Sequence, residues 1–177
     1  MKTATFLKEQ FDAGLSYDEY FANIELRREM WDGIDSRATI PDDLVARAGN
    51  QNAERHLLVI TMDNCGDAIN ILPYIARIVE LNDSVDMRMV QREESPELMN
   101  SHLTDGSRSV PVVIILDADF NELAWWGPRP REIQQWVMEE GMKLEPKVRY
   151  KETRRLYARA RGRTIITEFL DLMESVA

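Results

Sequence analysis

The chain has 177 residues, 44% of them apolar, and a net charge of −9, enough for one domain with a substantial core. The acidic balance argues against general nucleic-acid binding, and no stretch approaches 18 consecutive apolar residues, so no membrane span is expected. The lone cysteine, Cys65, cannot close an internal disulfide, and the N-terminus lacks the apolar run of a signal peptide; the protein reads as cytoplasmic.

In chain order, residues 3–15 suit a short helix with Phe6, Leu7 and Phe11 on one side. Ser16-Tyr17-Asp18-Glu19 has the pattern of a capping box. It should open a stronger helix carrying Tyr17, Tyr20, Phe21, Ile24 and Trp31 near helical spacing. Residues 32–40 look like a loop, and Pro41 restarts a helix. The continuous apolar run Leu57–Met62 predicts a buried strand, and residues 67–81 a helix burying Ile71, Tyr74, Ile75 and Ile78. Val85–Val90 alternates as a half-exposed strand does. Ser95 before Pro96 reads as an N-cap for a helix over 97–103. Val112–Leu116 and Glu122–Trp126 read as a hairpin. Pro130 opens a helix with Ile133, Trp136 and Val137, and Gly141 closes it. Two further helices, 147–161 and 164–175, are broken at Gly162.

Strand, helix, strand, helix, strand, strand, helix is the resulting order. The first two strands must be parallel because a helix crosses between them. The last two must be antiparallel because their loop is too short for a crossover. The expectation is an α/β fold, a three-layer α/β/α sandwich with a mixed central sheet. It divides into a helical N-terminal extension (1–54), a core (55–141) and a helical C-terminal extension (142–177).

Charge is unevenly spread. Residues 147–163 hold eight Lys and Arg against the single acid Glu152. Such a face either lies against the acidic body or docks an acidic partner or an anionic ligand.

Chemistry gathers at Cys65. An apolar strand runs into the polar loop Asp63-Asn64-Cys65-Gly66-Asp67, and a helix follows at once. The sulfur should therefore sit at a helix N-terminus, where backbone N–H groups favour the thiolate. Asp63 and Asp67 oppose that shift, while Arg108 could approach the sulfur or a bound carboxylate. The balance predicts a moderately acidic thiol. His56 and His102 have no metal-type spacing with Cys65. Asp117-Ala118-Asp119-Phe120-Asn121 begins like a calcium loop but has Glu122 where glycine is needed. Neither metal nor cofactor is expected.

Three features in order give the resemblance to the thioredoxin superfamily. Cys65-Gly66-Asp67-Ala68 matches a Cys-Gly-x-Cys frame except at its last position. Pro73 falls where thioredoxins kink the active-site helix, and Ser109-Val110-Pro111 precedes the third strand, where the family has its cis-proline. Gly127 follows the fourth strand, at a position of close approach. Trp126-Gly127-Pro128-Arg129-Pro130 with a helical tail is also similar to a bacterial thioredoxin-like subgroup. The resemblance covers roughly residues 55–141 and implies a thioredoxin-like fold with Cys65 as attacking thiol. It implies that Val110, through its backbone, and Pro111 shape a substrate shelf, with Gly66, Asp67 and Arg108 completing the binding set.

The departures fall on the chemistry. Ala68 removes the resolving thiol, Asn64 replaces a tryptophan, and Val59 stands where many thioredoxins bury an aspartate. What remains is a monothiol route resolved by an external thiol, or a non-catalytic binding scaffold with a vestigial Cys65. The partners expected are a protein or low-molecular-weight thiol or disulfide; a homodimer stays open, while nucleic acid and membrane do not figure.

Overall fold

The computed structural model describes residues 2–176. Its centre is a four-stranded sheet of β1 (Arg55–Thr61), β2 (Val85–Gln91), β3 (Val112–Leu116) and β4 (Glu122–Trp126), in the order β2-β1-β3-β4. β1 and β2 are parallel, and the other two pairs are antiparallel. Alternation along β1 and β3 supplies two cores. Leu57, Val59, Val113 and Ile115 face one way, and Leu58, Ile60, Val112, Ile114 and Leu116 face the other. With helices on both faces, these strands are continuously apolar rather than alternating.

The second face is covered by α1 (Ala4–Ala13), through Leu7 and Phe11, and by α6 (Pro96–Asn100), through Leu98 and Met99. The first face takes α5 (Gly66–Glu80), α7 (Arg131–Glu139), α8 (Pro146–Ala160) and α9 (Arg163–Ser175). It also takes Tyr20 of α2 (Tyr17–Ala22), Trp31 of α3 (Arg28–Asp35) and Ala48 of α4 (Asp42–Ala48). This is the α/β sandwich that the element order implies. Among the described residues, no helix is long and apolar enough to cross a membrane.

The helix expected from Tyr17 to Trp31 is two helices. The chain turns between them, with Arg27 left-handed at φ 59°. Helical spacing ran through the break because Tyr20 and Trp31 converge on one target, the loop before Cys65. The expected loop over 32–40 is helical as far as Asp35, where Ile34 packs against the core. The capping box forms, with Glu19 N–H donating to Ser16 Oγ at 3.2 Å and Ser16 N–H to the Glu19 carboxylate at 2.8 Å. Ser95 makes no side-chain cap bond, and α6 ends at Asn100 rather than 103.

Topology sets the place of the site. The C-terminal end of β1 lies beside the start of β3, and Val113 of β3 pairs with Trp126 at the end of β4. The loops leaving β1 and β4 and the loop entering β3 therefore meet at one end of the sheet. Gly127 makes this approach possible: at φ +131°, a Cβ there would stand 2.2 Å from the Pro111 carbonyl oxygen.

Candidate functional site

Cys65 is the N-cap residue of α5. Its sulfur accepts from Ala68 N–H at 3.5 Å, and its thiol donates to the Val110 carbonyl at 3.2 Å. The side chain is half-buried and forms part of the wall of a cavity of about 650 Å3. The Val110–Pro111 peptide is cis. Val110 is buried and meets the sulfur through its backbone oxygen. Gly66, Asp67, Arg108 and Val110 line the cavity with Cys65. Pro111 contributes the carbonyl packed against Gly127.

The loop carrying the cysteine is held from the N-terminal helices. Trp31 Nε1–H donates to the Asp63 carbonyl at 2.8 Å, and Tyr20 O–H to the Asp63 carboxylate at 2.9 Å. Gln91 Nε2 donates to the same carboxylate at 3.0 Å. Asp63 is thus occupied away from the sulfur, and the acid that acts on the thiol is Asp67.

Asp67 lines the cavity with its carboxylate already engaged by two side chains. One carboxylate oxygen accepts from Tyr157 O–H at 2.8 Å, and the other pairs with Arg129 at 2.8 Å. Its side chain is only 13% exposed. Burial pushes the Asp67 carboxyl up, against the pull of Arg129 and Tyr157. Burial also holds the Tyr157 phenol far above its ordinary value, so it remains a donor.

These surroundings overturn the expectation of an acidic thiol. Burial pushes the Cys65 thiol up and Asp67 adds to it. The Ala68 and Asp67 N–H groups and Arg129 pull the other way without winning. The role expected of Arg108 beside the sulfur falls to Arg129. Arg108 instead straps two loops together: it donates to the Arg92 carbonyl at 3.3 Å and lies 3.6 Å from Glu93.

Arg129 and Tyr157 are the residues that sequence reasoning missed. Arg129 lay within a quoted motif, Trp126–Pro130, without being given a task. Tyr157 lay in the basic segment, 90 residues from the aspartate it meets, and only its place among charged neighbours on a helix marked it. Among the described residues, no group of three or more His, Cys, Asp or Glu could hold a metal ion.

No curated protein matches the chain. Two solved structures are similar to it: a protein of unknown function from Pseudomonas aeruginosa and an HIV epitope-scaffold. Each has a TM-score of 0.74 at 18% identity, covering 96% of this chain and 98% of the other. At that identity the likeness concerns fold alone, but it takes in the helices at both ends. A family model described as thioredoxin matches residues 14–145, reaching well ahead of the region around residue 55 where the motif resemblance begins. With most of its length inside that match, and a sheet and cysteine loop arranged as above, the chain belongs to the thioredoxin family.

Proposed function

We propose that the protein carries out monothiol thiol–disulfide exchange at Cys65. The observation that supports this most is a partly buried cysteine at the mouth of a fifteen-residue helix, in the wall of a cavity large enough for a small molecule. In the first step Cys65 gives its proton to solvent, and the thiolate attacks one sulfur of a disulfide R–S–S–R. A Cys65–S–S–R bond forms, and R–S⁻ leaves and takes up a proton. With no second cysteine in the chain, an external thiol must attack the mixed disulfide as its thiolate. It leaves within the product disulfide, and Cys65 is released and reprotonated.

The raised thiol means that little thiolate is present at neutral pH before a substrate arrives. A single free cysteine suits a reducing compartment, and the cytoplasm is the location proposed. The same raised thiol, already donating to Val110, favours the second reading, a binding scaffold without catalysis. Intact mass after incubation with oxidised glutathione separates the two. Exchange predicts one adduct per chain, removed by free thiol and missing from Cys65→Ser. A scaffold predicts no adduct with this or any other small disulfide.

A further inference from the structure

The basic segment 147–163 does not lie neutralised against the acidic body. Among the described residues, only Arg155 and Arg163 of its eight cations have a carboxylate within 4.0 Å, and the partner of Arg155 is its own-helix neighbour Glu152. Two of the others, Arg149 and Arg154, reach the Cys65 cavity, where Arg27, Arg92, Arg108 and Arg129 join them. The only acid in that lining is Asp67, which Arg129 already occupies. Glu93 serves Arg92 and Arg108. No carboxylate within 4.0 Å is recorded among the described residues for Arg27, Arg149 or Arg154. In a chain of net charge −9, six guanidinium groups around one cavity run against the overall composition.

Like charges so gathered repel one another unless an anion joins them. The Nε–H groups of Arg108 and Arg129 are buried without a hydrogen-bond partner, and buried donors call for acceptors. Past Arg154 and Tyr157 an adjoining groove is lined by Arg37, Lys151, Arg155 and Arg161 with Glu29 as its one acid. A cavity of about 650 Å3 has the size of a small-molecule site. Its walls come from separate segments: the turn before α3, the cysteine loop, residues 108–110 and α8.

We propose that this cavity takes small polyanionic disulfides and thiols, with Arg149 and Arg154 of α8 and Arg27 before α3 reading carboxylate or phosphate groups. The disulfide part rests on the exchange reading above; the anion site does not.

The full chain is mixed with disulfides of different charge, and adduct formation is timed by intact mass. Oxidised glutathione supplies carboxylates, coenzyme A disulfide phosphates, 2-hydroxyethyl disulfide no charge and cystamine positive charge. At least one anionic disulfide is expected to react about tenfold or more faster than cystamine, with the ratio shrinking as salt is raised. Whichever anionic disulfide leads identifies carboxylate or phosphate as the group read. The preference should collapse in the R149Q/R154Q double variant, whose folding is checked by its thermal melt. Equal rates across the series, or cystamine leading, overturn the proposal while leaving exchange intact. Should no disulfide react, the exchange reading fails, and calorimetric titration of Cys65→Ser with citrate and with inorganic pyrophosphate decides the anion site alone. Saturable binding of either that is lost on adding R149Q/R154Q upholds the site; no binding of either, or binding that the double variant keeps, overturns it.

Discussion

Replacing Gly127 with alanine tests the packing that brings the cysteine loop, the shelf and Arg129 together. The new Cβ would stand 2.2 Å from the Pro111 carbonyl oxygen and 3.2 Å from its carbon. Real Cβ atoms do not approach closer than 3.0 Å, so two backbone segments must part by roughly 0.8 Å. The φ of +131° is also one that side chains rarely adopt. Backbone strain of this kind costs about 1–3 kcal/mol, and overpacking a rigid site a further ~1–3 kcal/mol. Against a total stability of about 5–15 kcal/mol, the loss is severe; at ~2–4 °C per kcal/mol for a chain of this size, melting falls by about 5–20 °C. Gly106→Ala is the control, because Gly106 has φ +77° with nothing within 4 Å of the added Cβ. That variant bears only the left-handed cost, about 1–2 kcal/mol. Urea and thermal unfolding by circular dichroism measure both. A Gly127→Ala protein no less stable than Gly106→Ala would refute the close approach and the site geometry that depends on it.

Asp67→Asn removes the carboxylate that holds the thiol up, so the inflection in iodoacetamide rate against pH should move to lower pH; an inflection that stays or rises contradicts the placement of Asp67. The same raised thiol links stability to pH. Its contribution is complete below the ordinary thiol value, about 8.5, and is lost as pH rises from there through the folded value, because the unfolded chain ionises first. Wild type should therefore lose stability relative to Cys65→Ala at up to about 1.4 kcal/mol per pH unit within that window, and parallel urea-stability profiles up to pH 10 would count against it.

The sheet was legible because its strands are buried on both faces. Leu57–Ile60 and Val112–Leu116 read as unbroken apolar runs, and the short hairpin loop left one arrangement for β3 and β4. The turn at Arg27 was not legible, because a left-handed arginine carries none of the glycine or asparagine signal that marks such a position. Cys65, Val110 and Pro111 could be placed by motif order, since sheet topology brings those loops together. Tyr157 could not, because its partner is fixed by where α8 packs. The direction of the thiol's shift was misjudged for a related reason. Local sequence shows a helix N-terminus and two acids, but not the burial that outweighs the first and adds to the effect of Asp67.

Burial and the packing of α8 together explain how a site so rich in arginine can hold a thiol that is not acidic. The N-terminal helices occupy Asp63 through Tyr20 and Trp31, which leaves Asp67 as the acid that acts on the sulfur. The C-terminal helix fixes Asp67 next to the sulfur through Tyr157, and Asp67 in turn engages Arg129, the arginine that acts on the thiol. The remaining cations lie elsewhere on the cavity wall. A positive charge placed to activate a cysteine belongs against its sulfur; one placed to recognise a ligand belongs where the rest of that ligand will lie. Arg27, Arg149 and Arg154 fit the second description. On the exchange proposed above, a disulfide drawn in by them would reach a protonated thiol; the arginine wall would then govern which molecule arrives, and Asp67 and Arg129 how readily Cys65 reacts with it.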